Sequence, residues 1–236
     1  MVSPSRPPRL CSAPAITHKR RRSRSTTTGD HAPPPAPLQR HAQADDPAAG
    51  ALFSDGFETG DLSQWSTVSG LTAESANPHA GSYGAEESSV GTPTFAYEAL
   101  PGAYTELWAQ AWVYVNSQST SANLIGWRGS NGGSIINLYL SQTGKLSLRN
   151  NVGSITTPST TVMPAGSWHQ VVLHALINGT SSNVDVSLDG TAVPDLALTG
   201  QNLGTNPITS LQLGDTASAR TYDINFDDVA VAQNPF

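Results

Sequence analysis

From position 52 onward, apolar and polar residues alternate in short runs separated by Gly, Asn, Ser and Thr. A repeat of two is the mark of strands with one buried face, because successive side chains of a strand point to opposite sides. The clearest run spans 104–116. Its odd positions, Thr105, Leu107, Ala109, Ala111, Val113 and Val115, are small or aliphatic. Its even positions, Tyr104, Glu106, Trp108, Gln110, Trp112, Tyr114 and Asn116, are aromatic and polar. The odd side predicts a core face, and the even side predicts a face with other contacts.

Further strands follow from the same alternation. Ile136, Leu138 and Leu140 face one way, and Asn137, Tyr139 and Ser141 the other. Leu146 and Leu148 come after a turn signal at Thr143-Gly144. His169, Val171, Leu173 and Ala175 alternate with Gln170, Val172 and His174, a strand apolar on both sides and so central. Val184, Val186 and Leu188 precede a turn at Asp189-Gly190, and Leu211 and Leu213 make another short run. Many short strands at this spacing predict an all-β, two-sheet antiparallel β-sandwich of the jelly-roll kind. No helix beyond about two turns and no repeat of 20–50 residues is expected.

Residues 1–50 differ in kind. They are rich in Pro, Arg, Ser, Thr and Ala and lack apolar periodicity. Such a segment cannot bury enough surface to offset its chain entropy, so a disordered basic tail is expected there and a folded domain over 51–236. The run Lys19-Arg20-Arg21-Arg22-Ser23-Arg24 reads as a solvated basic stretch. A twin-arginine export signal needs an apolar stretch just after it, and 25–37 is polar and Pro-rich. Ala42-Gln43-Ala44 before Asp45 has the form of a signal-peptidase site, but no intact signal peptide precedes it.

Charge separates the two parts further. The whole chain carries twelve Lys and Arg against eighteen Asp and Glu, a net −6. Eight of those cations precede Gly50, so only Arg128, Lys145, Arg149 and Arg220 stand against fifteen carboxylates in the remainder. So acidic a domain repels phosphate backbones, which makes nucleic acid an unsuitable partner for it. A divalent cation or an uncharged polysaccharide suits it. No apolar stretch is long enough for a membrane span. The single Cys11 allows neither an internal disulfide nor a Cys-based metal site, and nothing specifies an oligomeric state.

Six segments together resemble one family. Phe53-Ser54-Asp55-Gly56-Phe57-Glu58-Thr59-Gly60-Asp61-Leu62-Ser63-Gln64-Trp65 is similar to the opening of concanavalin A-like, laminin-G-like jelly-roll domains of bacterial extracellular proteins. His79-Ala80-Gly81-Ser82-Tyr83 resembles their next segment. The stretches 107–115, 167–173, 186–190 and 226–231 resemble later strands, in family order. The resemblance covers nearly all of 52–233. It implies an extracellular, lectin-like domain, but the fold also hosts adhesion domains, glycoside hydrolases and polysaccharide lyases.

Three candidate sites follow. In 224–231 the apolar phase slips, with Ile224 and Phe226 even but Val229 and Val231 odd, as a β-bulge at Asp227-Asp228 would cause. Two adjacent carboxylates there call for a cation, and Lys and Arg are scarce. The resemblance implies a structural calcium joining the first and last strands, with Asp55, Glu58 and Asp227 at the matching positions and Asp228 beside them. The second candidate is the even face of 104–116. Glu106, Trp108, Gln110, Trp112 and Tyr114, extended by Tyr139, Asn137 and Arg149, offer rings for stacking on sugar C–H faces and amides for their hydroxyls. The competing expectation is that a loop, 117–123 or 149–159, covers this face and makes it a second small core. Trp65 and Trp168 are expected to be structural, and His174 to face the core or a loop.

The third candidate is a catalytic pair. Glycoside hydrolysis needs two carboxyls at about 5–5.5 or 6.5–9.5 Å. Asp185 and Asp189 share a face but stand roughly 13 Å apart at ~3.3 Å per residue, and Glu86-Glu87 point to opposite faces. A lyase would use a base such as His or Tyr beside an Arg, and His79, Tyr139, His169, Arg128 and Arg149 form no motif. The expected function is therefore a non-catalytic carbohydrate-binding module stabilised by calcium. The alternatives are a structural or adhesion domain, or an enzyme of the same fold.

Overall fold

The computed structural model describes residues 50–236. The tail expected over 1–50 lies, apart from Gly50, outside the described residues. Sixteen strands and one 3-10 turn, Pro194–Leu196, make up the described chain. The first sheet runs β13 (Thr191–Ala192), β12 (Ser182–Leu188), β11 (Trp168–Leu176), β6 (Glu106–Gln118), β16 (Thr221–Ala232), β4 (Gly84–Val90) and β3 (Leu71–Glu74). Two short strands extend it, β1 (Phe53–Asp55) on β16 and β14 (Leu198–Gln201) on β12. The second sheet runs β10 (Ile155–Val162), β9 (Lys145–Asn150), β8 (Ser134–Leu140), β7 (Ala122–Gly129), β15 (Ile208–Asp215), β5 (Thr94–Tyr104) and β2 (Thr67–Ser69). Every pairing is antiparallel, and the architecture is the expected jelly-roll sandwich.

Alternation decides which side is core. On β6, Leu107, Ala109, Ala111 and Val113 are fully buried, while Trp108, Trp112 and Tyr114 are only partly so. Val171, Leu173 and Ala175 of β11, and Ile136 and Leu138 of β8, are buried in the same core. The Asp189-Gly190 turn takes positive φ at both residues, 50° and 72°, as a tight hairpin joining β12 to β13 requires.

The expected bulge is present. The register of β16 against β6 passes from Asp227↔Trp112 to Ala230↔Gln110, three residues against two. Asp228 absorbs the extra residue with φ 44°. That one slip explains how Ile224, Phe226, Val229 and Val231 are all fully buried despite their change of phase.

One carboxyl lies between the sheets. Glu87 of β4 is fully buried, and its Oε1 accepts from the Tyr222 hydroxyl at 2.8 Å, the Thr94 hydroxyl at 3.0 Å and the Asp215 N–H at 2.7 Å. It thereby ties β4 and β16 of the first sheet to β5 and β15 of the second. Burial pushes its carboxyl up to about 8.

Candidate functional site

The outer face of the first sheet is organised by the pairing of β6 with β11. Register sets Trp108 opposite His174, Gln110 opposite Val172, Trp112 opposite Gln170 and Tyr114 opposite Trp168. The His174 ring lies on Trp108 at 4.2 Å and 14°, a stacked pair. A second imidazole, His79 from the loop between β3 and β4, lies on Trp112 at 3.8 Å and 16°. Trp168 meets His79 edge-on at 5.5 Å and Tyr114 at 5.6 Å. Between the two stacks the Gln170 amide donates to Gln110 Oε1 at 3.1 Å.

Carboxylates hold both imidazoles. Asp228 accepts from, or pairs with, His79 Nδ1 at 2.7 Å, so the bulge in β16 fixes the ring that roofs Trp112. His174 is gripped at both nitrogens, Nδ1 by Asp185 at 3.0 Å and Nε2 by Glu106 at 3.1 Å. Beside Trp108 and His174 an open pocket of about 330 Å³ is bounded also by Gln170, Asp185, Ser187 and Phe236. The segments 149–159 and 122–123 belong to the second sheet, so among the described residues the cover over Trp112 comes instead from His79 of the loop between β3 and β4. The rings of the face are roofed by histidines and stay partly open.

Several expected placements change. Tyr139, with Asn137 and Arg149, belongs to β8 and β9 of the second sheet, so it cannot extend the Trp108–Trp112 face. Sequence alternation assigns a residue to a face of its own strand but not to a sheet. Trp168 does open β11, but its ring stands in the aromatic row of the outer face, and His174 is on the outer face rather than toward the core. Trp65 is structural as expected: it is 6% exposed and its Nε1–H donates to Asp55 Oδ2 at 2.8 Å.

The four carboxylates expected to bind calcium divide between tasks. Asp55 accepts from the Phe57 N–H, the Gln64 amide and the Trp65 indole, which closes the turn after β1. Glu58 accepts from the backbone N–H groups of Ser82 and Tyr83, and Asp227 from those of His79 and Ala80, so the two grip one loop from both ends. Among the described residues no three His, Cys, Asp or Glu side chains are grouped to hold a metal ion, and each of these carboxylates except Asp228 is engaged by N–H donors instead. The electrostatics nonetheless favour positive charge at the bulge. Burial, and then the neighbouring Asp228 charge, push the Asp227 carboxyl up to about 7.

A second histidine hub lies at the rim. Ser167 Oγ meets His169 Nε2 at 2.9 Å, and Asp189 Oδ2 meets His169 Nδ1 at 2.8 Å. The order is that of a hydrolytic triad. Asp189 also accepts the Gln170 N–H at 2.9 Å, which ties the β12–β13 turn to the start of β11. That tie is a sufficient structural account of the cluster.

Comparison with known proteins matches this geometry at the level of fold. A laminin-G family model, described as concanavalin A-like lectin/glucanases superfamily, matches residues 87–235. Among solved structures, a cellulose induced protein, Cip1, is similar with a TM-score of 0.62 at 16% identity, over 77% of this chain and 97% of that one. A Trypanosoma rangeli sialidase, solved in complex with a difluorinated keto-deoxy-nononic acid, is similar with a TM-score of 0.57 at 15% identity, over 80% of this chain. The match spans only 31% of that sialidase. At such identities these structures share the fold. No curated protein sequence matches. No helix among the described residues is long and apolar enough to cross a membrane.

Proposed function

The chain belongs to the concanavalin A-like lectin/glucanase superfamily, and from that premise we propose that it is a secreted glycan-binding module whose ligand lies along the outer face of β6 and β11. The observation that carries this reading is the pair of Trp–His stacks on either side of the Gln110–Gln170 amides. Trp108 and Trp112 are four residues apart, roughly 13 Å at ~3.3 Å per residue, which suits a chain of several sugars. Partly open rings supply stacking surface, and the amides supply hydrogen bonds that orient hydroxyls. Glu106, Asp185 and Asp228 surround these rings, so the face favours an uncharged glycan over an acidic one.

Binding without catalysis is supported by His174. Glu106 and Asp185 approach the same imidazole from its two nitrogens. The ring therefore fills the space that a glycosidic oxygen and a water would need between two catalytic carboxyls.

Calcium enters the same reading as a stabiliser of the bulge. We place it at Asp227-Asp228, with Glu58 as the third carboxylate and without Asp55, because the two aspartates each turn an oxygen to the same side, beside Gly56. Binding requires Glu58 and Asp227 to release part of their hold on the loop at 79–83, with backbone carbonyls completing the shell.

The test is a glycan array probed with the full chain, followed by Trp108→Ala and Trp112→Ala on whatever neutral glycans bind. Loss of those signals with retained folding supports the assignment. An empty array, or signals indifferent to both tryptophans, leaves a structural or adhesion domain as the better reading.

A further inference from the structure

The few cations of the folded part are not scattered. Of Arg128, Lys145, Arg149 and Arg220, the first three stand on the second sheet, on β7 and β9. Cross-strand register runs Tyr97, Gln212, Gly126, Asn137, Arg149, Thr156 in one continuous row over β5, β15, β7, β8, β9 and β10. The next row carries Ser210, Arg128 and Ser134, and the row on the other side carries Tyr139, Ser147 and Pro158. Residues paired across antiparallel strands share a face, and this is the outer one, because Leu211, Ile125, Ile136 and Leu148 of the alternate phase are buried in the core. None of these outer positions is Asp or Glu.

The face is built rather than loose. The Arg128 guanidinium lies 4.3 Å from the centroid of the Tyr97 ring and donates to Gln212 Oε1 at 3.0 Å. Gln212 and Asn137 are 2% and 3% exposed, so a floor of buried amides lies under the cations and tyrosines. Gly126 leaves room beneath them for the Asn137 amide, which a Cβ there would displace. Arg149 keeps one tether, to the Thr156 hydroxyl at 3.2 Å, and burial and then the Asp215 charge push the Tyr139 hydroxyl up against the smaller opposing fields of Arg220 and Arg149. Arg220 itself faces the buried Asp215 at 3.8 Å, whose N–H is bonded in turn to the buried Glu87.

We propose that this face is a second binding site, for a carboxylate-bearing glycan such as a uronate oligomer, with Arg128 and Arg149 pairing with carboxylates and Tyr97 and Tyr139 stacking on the sugar rings. A guanidinium offers a carboxylate two parallel hydrogen bonds, which suits it to this ligand. Arg128 and Arg149 are two strands and two residues apart, roughly 12 Å at ~4.8 Å per strand and ~3.3 Å per residue. One carboxylate cannot bridge that gap, so the two cations call for a chain with repeated acids rather than a lone anion. Nucleic acid is a poorer match, because three cations on so acidic a domain cannot offset its dense phosphates. The site is on the other sheet from Trp108 and Trp112, so it stands or falls without the face proposed above.

Titration calorimetry of the full chain with oligogalacturonate, its methyl ester and single-stranded DNA is the test. The wild type should bind the acid form, less tightly as salt rises, and the ester at least tenfold more weakly. Arg128→Gln with Arg149→Gln should reduce acid binding at least tenfold, and Trp108→Ala should leave it unchanged. Arg149→Gln alone loses only the Thr156 tether and is the variant to use if the double change unfolds; it should still weaken binding several-fold. The basic segment before Gly50 is the same in every variant, so binding that survives both arginine changes comes from elsewhere and overturns the proposal. So does a wild type that binds neither sugar, or one that binds single-stranded DNA as tightly as the acid and loses both together.

Discussion

The two outer faces of this sandwich stand on one core and are opposites. The face of β6 and β11 carries rings, amides and carboxylates, with two imidazoles held over two indoles by Asp228, Glu106 and Asp185. The face of β5, β7, β8 and β9 carries Arg128, Arg149, Lys145, Tyr97 and Tyr139, with no acid in its rows. Both grow from the same period-two pattern. What differs is which residues fill the outward positions, so fold and recognition are separable here: inward residues set the sandwich, and outward residues set what each side can meet.

The separation breaks most easily at the core. Leu107→Ala and Ile136→Ala, one inward residue from each sheet, should each cost about 2–5 kcal/mol as buried cavities, read by urea unfolding. A loss below about 1 kcal/mol at both would mean that inward and outward have been misassigned.

Glu87 tests the tie between the sheets. A carboxyl ordinarily near 4.5 that is held at about 8 in the folded state binds its proton more tightly folded than unfolded. Its contribution to stability is therefore complete below about pH 4.5 and is lost as pH rises to about 8. At about 1.4 kcal/mol per unit the change amounts to a few kcal/mol. Stability of the wild type should fall more steeply than that of Glu87→Gln between pH 5 and 8. Parallel curves would mean that Glu87 is ionised in the fold.

Calcium sharpens the account of the acidic side. If an ion binds the native bulge alone, calcium at ~100 times its dissociation constant should raise stability by ~2.7 kcal/mol. Thermal melts in EDTA and in excess calcium measure it, and Asp227→Asn should abolish the difference. Coincident melts would leave Glu58 and Asp227 as loop anchors only.

A smaller effect is expected at the roofed rings. Trp112 is only partly buried, so Trp112→Ala should cost about 1–2 kcal/mol, well short of the ~3–5 of a core aromatic. A full core penalty there would place Trp112 in the interior and remove it from the binding face.

Much of this was legible beforehand. Alternation placed Leu107–Val115 with the correct side inward and marked 136–140, 169–175 and 211–213 as strands, though 169–175 reads as apolar on both sides, and the phase slip located the bulge at Asp227-Asp228. Side-chain period is a local property, so local sequence records it. Sheet membership is not. Tyr139 and Trp108 have equivalent outward positions on their strands, yet pairing with β7 and β9 carries Tyr139 to the opposite side of the molecule. His174 and His79 were missed as parts of the aromatic face for the same reason: one meets its tryptophan through cross-strand register, the other through a loop held by Asp228. The register of β6 with β11 carried a usable signal, since it sets the even positions of both strands opposite one another and so puts His174 beside Trp108 and Trp168 beside Tyr114.

The most direct measurement of the central claim is one glycan array probed with three forms of the full chain: wild type, Trp108→Ala with Trp112→Ala, and Arg128→Gln with Arg149→Gln. Two faces with separate ligands predict that the tryptophan changes remove neutral glycans and spare carboxylated ones, while the arginine changes do the reverse. If both variants lose the same glycans, or neither loses any, the two faces are not separate binding sites.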